Sequence, residues 1–80
     1  MDYFVYLLEC RDKSLYCGYS KNLKKRLELH NKGTASKYTK RKRPVKLVYF
    51  EKFSTQRKAM RREIEIKKMQ RFEKIKLIKK

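Results

Sequence analysis

The sequence predicts a mixed α+β fold: a three-stranded antiparallel sheet flanked by helices, with elements in the order β-β-α-β-α-α. Three observations carry that expectation. Residues 3–10 (YFVYLLEC) and 45–53 (VKLVYFEKF) are apolar-aromatic runs of strand length, rich in β-favouring side chains. The polar break Arg11-Asp12-Lys13-Ser14 divides the first run from a second, Leu15 to Tyr19, in the manner of a hairpin. Beyond Ser20, and again beyond Ser54, the apolar residues recur at helical spacing instead. At 80 residues the chain is expected to be one domain, 1–80, and its 40% hydrophobic residues suffice for a small core.

Each element has a local reason. A three-residue loop, Asp12-Lys13-Ser14, pairs Arg11 with Leu15 and places Tyr6 and Tyr16 on one face of the sheet. A two-residue loop would separate them. Ser20 is a cap for a helix over about Lys21 to Asn31, with Gly33 just past its end. Lys32 to Arg43 reads as a basic loop closed by Pro44, followed by the third strand, Val45 to Phe53. Ser54 or Thr55 caps a second helix running to about Met69, and Arg71 to Lys79 forms a short last helix.

Lysine and arginine number 25 against 8 acidic residues, a net charge of +17. So basic a body points to a polyanion, because neutralised phosphates release counterions. An anionic membrane surface is the rival partner, but no apolar run approaches the roughly 18 residues a span needs. Asp2 beside a strand-like start argues against a signal peptide. The expectation is a cytoplasmic nucleic-acid binder, a monomer without membrane association. Cys10 and Cys17 read as reduced thiols filling a strand surface. With His30 the only histidine, no zinc motif exists.

The helical faces are more pointed. Stepping about 100° per residue, Arg26 and His30, four apart, fall inside the arc defined by Leu23, Leu27 and Leu29, where the ordinary readings are an arginine that snorkels outward and a histidine satisfied within the core. On the second helix Glu63 falls about 40° from Ala59, near the middle of a face shared with Met60, Ile64, Ile66 and Met69. A carboxylate there costs several kcal/mol unless it is paired or holds a metal. An ion pair to Lys67 or Arg26, or a face opening into solvent, is the ordinary alternative. Lys37, Tyr38, Lys40, Arg41, Lys42 and Arg43, together with Lys25, form a candidate phosphate-contacting rim, or simply a solvated basic surface.

The ordered set Tyr6 in Phe4-Val5-Tyr6, then Tyr16-Cys17-Gly18, Arg26, His30, and Glu63 in Ala59-Met60-Arg61-Arg62-Glu63 resembles the GIY-YIG nuclease domain. It is closest in flavour to the small stand-alone prokaryotic proteins of that kind. The resemblance extends from Tyr3 to about Ile78. Phe4 and Val5 replace the first motif's glycine and isoleucine. Ile75 stands near the place where many members carry an asparagine. The DNA-binding domain appended in homing and repair members is not expected here. The resemblance implies hydrolysis of a DNA phosphodiester bond, DNA rather than RNA, with one divalent metal, Mg²⁺ or Mn²⁺, held by Glu63. Arg26 would stabilise charge on the phosphate, Tyr16 would orient the attacking water and act as its base with His30, and Tyr6 would hydrogen-bond in the same site. These five residues should then converge on one concave, water-accessible patch. A role in DNA repair or processing, and a protein partner supplying targeting, belong to the same expectation. Two alternatives stand beside it: a nucleic-acid-binding module of this fold that cuts weakly, and a basic ribosome-associated structural protein.

Overall fold

A computed structural model describes residues 2–79. The elements are β1 (Tyr3–Glu9), β2 (Leu15–Ser20), α1 (Leu23–Lys32), α2 (Lys37–Lys40), β3 (Lys46–Phe53), α3 (Gln56–Lys67) and α4 (Arg71–Ile78). The strands form one antiparallel sheet in the order β2-β1-β3. β1 takes the centre because Val5 to Leu8 are apolar without interruption, and a central strand buries both of its faces. On one face Val5, Leu7 and Cys17 pack with Ala59 and Ile66 of α3 and with Leu77 and Ile78 of α4. On the other, Tyr6, Leu8, Cys10 and Val45 pack with Tyr16, Leu47, and Leu23 and Leu27 of α1. The expected α+β fold is therefore realised with helices against both faces.

α3 is oriented on the sheet by one partly buried clamp. The Arg62 guanidinium donates to both carboxylate oxygens of Glu51 on β3, Nε to Oε1 at 3.0 Å and Nη2 to Oε2 at 3.0 Å, and the Tyr49 hydroxyl donates to the same group. A planar fork on a carboxylate has direction as well as strength. It fixes the helix about its axis, and with it the neighbouring Glu63.

Several local expectations need correction. The hairpin loop is three residues long but begins one position earlier, at Arg11-Asp12-Lys13. The Cys10 N–H donates to the Ser14 carbonyl at 2.9 Å, and the Lys13 N–H to that of Cys10 at 2.9 Å. Asp12 causes the shift: its carboxylate accepts from the Ser14 N–H and hydroxyl at 3.0 and 2.6 Å, which draws Ser14 into the ladder. Lys13 takes the left-handed position, φ 73°, of a type I turn with a bulge. Tyr6 and Tyr16 still share a face, but the residue opposite Tyr6 becomes Gly18.

α1 starts two residues later than expected, because Asn22 rather than Ser20 caps it, accepting from the Lys25 N–H at 3.0 Å. The basic loop contains α2, one turn capped by Ser36 and too short to reveal a period. On α3 the core side is Ala59 and Ile66, whereas Met60 and Ile64 are 42% and 53% exposed. Cys10 and Cys17 are free and packed in different cores. Burial, and next the Glu63 charge, push the Cys17 thiol up to about 11, which keeps it a thiol.

Candidate active site at the sheet edge

An open cleft of about 640 Å³ lies at β2, one of the two edge strands. Tyr6, Tyr16 and Gly18 line it from the sheet, Lys25 and Arg26 from α1, and Glu63 from α3. Four of the five expected residues thus share one cavity. His30 does not. It is 1% exposed and sits behind Tyr6, so the expectation of five residues on a water-accessible patch fails at this position. The reason is its place on α1, on the turn that packs against the sheet rather than the turn that rims the cleft.

Both ring nitrogens of His30 are occupied. Nε2 and the Tyr6 hydroxyl share a hydrogen bond of 3.0 Å, and Nδ1 and the Thr39 hydroxyl share one of 2.8 Å. Tyr6 is itself 3% exposed, and its phenol lies across Gly18, its cross-strand partner. A Cβ at position 18 would stand 2.6 Å from the Tyr6 oxygen, so only glycine fits beneath the ring. Burial above all, and then the neighbouring Tyr16, raises the Tyr6 phenol, which therefore stays protonated.

Burial, and then the Arg26 charge, holds the His30 ring below the ordinary imidazole range, so the folded protein keeps it neutral. In an unfolded chain histidine titrates near about pH 6.5. Below that pH the unfolded state takes up a proton that the folded state resists, and stability falls as pH drops through this region. The urea midpoint should decline between about pH 7.5 and pH 5. Asp12, held at about 2 by its bonds from Ser14, weakens the fold only in stronger acid.

Tyr16 differs from Tyr6. It is half-buried, and among the described residues its hydroxyl has no hydrogen-bond partner. Its ring stacks on Tyr38 of α2, with centroids 5.8 Å apart and planes 27° from parallel, and meets the His30 ring edge-on at 5.1 Å. The Lys42 ammonium lies 4.0 Å from the centre of the Tyr38 ring, over its face, and pairs with Asp12 at 3.2 Å. The hairpin loop and α2 thereby hold the second tyrosine in place.

Arg26 makes no ion pair among the described residues and faces the cleft as an unneutralised cation. The Glu63 side chain is 16% exposed, and its carboxylate pairs with Lys67 at 3.4 Å. The alternative ion pair thus exists alongside the cleft position. Lys67 is 53% exposed, however, and such i,i+4 pairs are worth only about 0.3–0.5 kcal/mol, too little to exclude a divalent cation. Among the described residues no three His, Cys, Asp or Glu side chains gather into a closed cage. One carboxylate on an open cleft fits a hard dication that keeps most of its waters, such as Mg²⁺ or Mn²⁺.

The basic rim is divided. Lys25 lines the cleft. Lys37, Tyr38, Lys40 and Arg41 line a second open depression, and Lys40, Arg41 and Arg43 border a third together with Arg11. Arg43 is committed to helix ends, donating to the Lys40 carbonyl at 2.8 Å and the Asn31 carbonyl at 3.4 Å. Lys42 is tied to the hairpin. Sequence reasoning missed Arg11 on this rim, the contact of Gly18 beneath Tyr6, and Thr39 behind His30. Gly18 would have followed from the correct register; Thr39 has no periodic signal to betray it.

No helix among the described residues is long and apolar enough to cross a membrane. Residues 2–76 match the GIY-YIG catalytic domain. The chain is 52% identical over 75 residues to a UPF0213 protein of Clostridium perfringens, covering 94% of this chain and 81% of that one. It is 51% identical over 76 residues to a UPF0213 protein of Staphylococcus haemolyticus, covering 95% and 93%. Solution NMR structures of a UPF0213 protein from Bacillus halodurans and of a protein from E. faecalis superpose with TM-scores of 0.64 and 0.67. Each is 38% identical and aligned over 99% of this chain and 84% of the other. With the two tyrosines, the arginine and the glutamate at one cleft and this likeness running the length of the sheet and helices, the chain belongs to the GIY-YIG catalytic-domain family.

Proposed function

We propose that the protein is a divalent-metal-dependent endonuclease that hydrolyses DNA phosphodiester bonds. The observation that carries the reading is the meeting of Glu63, from a helix on one face of the sheet, with Arg26, Tyr6 and Tyr16 in one open cleft. A phosphate entering there meets the Arg26 guanidinium, whose planar donors suit the charge that builds on its oxygens. Tyr16 has a hydroxyl with no partner among the described residues and is the residue to orient the attacking water; in its phenolate form it would receive that water's proton and become the phenol. Tyr6, hydrogen-bonded to His30, holds its place beside it. Glu63 would hold Mg²⁺ or Mn²⁺, which when bound supplies Lewis-acid stabilisation of the leaving oxygen. Lys25, Lys37, Tyr38, Lys40 and Arg41 flank the cleft as contacts for neighbouring phosphates, and Lys42 and Arg43 shape that rim.

The second reading is a nucleic-acid-binding module of the same fold that cuts weakly, and the Lys67 ammonium beside Glu63 favours it. The assay is cleavage of supercoiled, single-stranded and branched DNA with Mg²⁺, with Mn²⁺ and with excess chelator. Cutting that requires the metal is the expected result. Salt-sensitive binding without cutting on any of the three substrates would decide for the binding module.

A further inference from the structure

We propose that Thr39 is a positioning residue that fixes the His30 tautomer and thereby turns the Tyr6 hydroxyl inward, so that Tyr6 offers the cleft only a hydrogen-bond acceptor. The argument starts from α2. Ser36 caps this turn, and Thr39, three residues on, donates its hydroxyl proton back to the Ser36 carbonyl at 3.3 Å, a usual habit of threonine in a helical turn. A hydroxyl has one proton. With that proton committed, Thr39 can only accept from the His30 Nδ1 that lies 2.8 Å away. Nδ1 therefore carries the ring's hydrogen.

A neutral imidazole has one N–H, so Nε2 is left as an acceptor. The Tyr6 hydroxyl, 3.0 Å from Nε2, must donate to it. The chain of donors runs one way, from Tyr6 through His30 and Thr39 to the backbone carbonyl of Ser36. Thr39 is 0% and His30 1% exposed, so no solvent competes along the way. The upward displacement of the Tyr6 phenol and the downward displacement of His30 agree with a chain in which neither group is charged.

The consequence concerns what Tyr6 can bind. Its proton faces the protein, and its remaining lone pair faces the cleft. The bridging and non-bridging oxygens of a phosphodiester are acceptors, and Tyr6 has nothing to donate to them. Its partner in the cleft is a donor, a water molecule, while Arg26 takes the phosphate.

The test uses His30 as the only histidine, so that ¹⁵N-histidine labelling reports a single ring. The expected wild-type spectrum has the proton on Nδ1. Thr39→Val should move it to Nε2, and Thr39→Ser should keep it on Nδ1. An Nε2–H ring in the wild type, or an unchanged tautomer in the valine variant, overturns the proposal. Should the valine variant not fold, the wild-type and serine spectra still decide. The kinetic arm rests on the nuclease reading: Thr39→Val should lower kcat on the order of tenfold with DNA affinity unchanged, and Thr39→Ser should restore it. A changed tautomer with full kcat removes the positioning role. A wild type that cuts nothing defeats the nuclease reading alone and leaves the spectra to judge the tautomer.

Discussion

Glu63→Gln should reduce DNA cleavage on the order of 10³-fold while leaving DNA binding intact. The substitution keeps size and shape, so α3 and its Arg62–Glu51 clamp are undisturbed. What is lost is the one carboxylate that lines the cleft among the described residues. Its removal also frees Lys67 from a weak exposed pair, which adds positive charge to the cleft and makes binding no weaker. The measurement is the single-turnover cleavage rate beside a DNA-binding titration at fixed salt. Equal cutting by variant and wild type would place the metal elsewhere, or the activity in another protein.

Gly18→Ala should strike the fold and the site together. The added methyl would stand 2.6 Å from the oxygen and 2.8 Å from Cζ of the Tyr6 phenol. The end of a side chain often gives way, but this one is 3% exposed and held by His30. Overpacking of this kind costs about 1–3 kcal/mol, and in a domain of this size each kcal/mol lowers Tm by about 4–8 °C. The displaced phenol also leaves its place beside Tyr16, and a shift of about 1 Å at a reacting site can cost on the order of 10²-fold in rate. Thermal unfolding and the cleavage rate should therefore both fall. An unchanged Tm would mean that Tyr6 does not lie across position 18.

The order of strands and long helices along the chain was legible because each signal is local: an unbroken apolar run for β1, an apolar-aromatic run for β3, a polar break between β1 and β2, Ser54 or Thr55 before α3. The shared face of Tyr6 and Tyr16 was legible too, since it depends only on the parity of the loop. The identity of Tyr6's neighbour was not. Asp12 moved the turn by one residue, and that moved the residue opposite Tyr6 from Ser20 to Gly18. Helical angles rightly drew Glu63 and Arg26 away from plain solvent. They could not tell a cleft wall from a core, and it was the resemblance, not the angles, that grouped His30 with residues that water reaches. The exposed Met60 and Ile64 show the same limit, because an angle names a face without saying how much of it the sheet covers. α2 escaped altogether, being a single turn whose one buried residue, Thr39, is polar.

The placement of Glu63 on α3 ties chemical competence to completion of the fold. The tyrosines, Arg26 and His30 all come from the first 30 residues, but the carboxylate arrives with a helix packed on the opposite side of the sheet and anchored through β3. A nascent chain that has emerged only as far as β3 holds the tyrosines and the arginine without the group that would bind the metal. So does any partly opened form in which α3 has lifted from the sheet. On the nuclease reading, the protein would thereby be unable to cut nucleic acid while it is being made and whenever it begins to come apart, with no inhibitor needed.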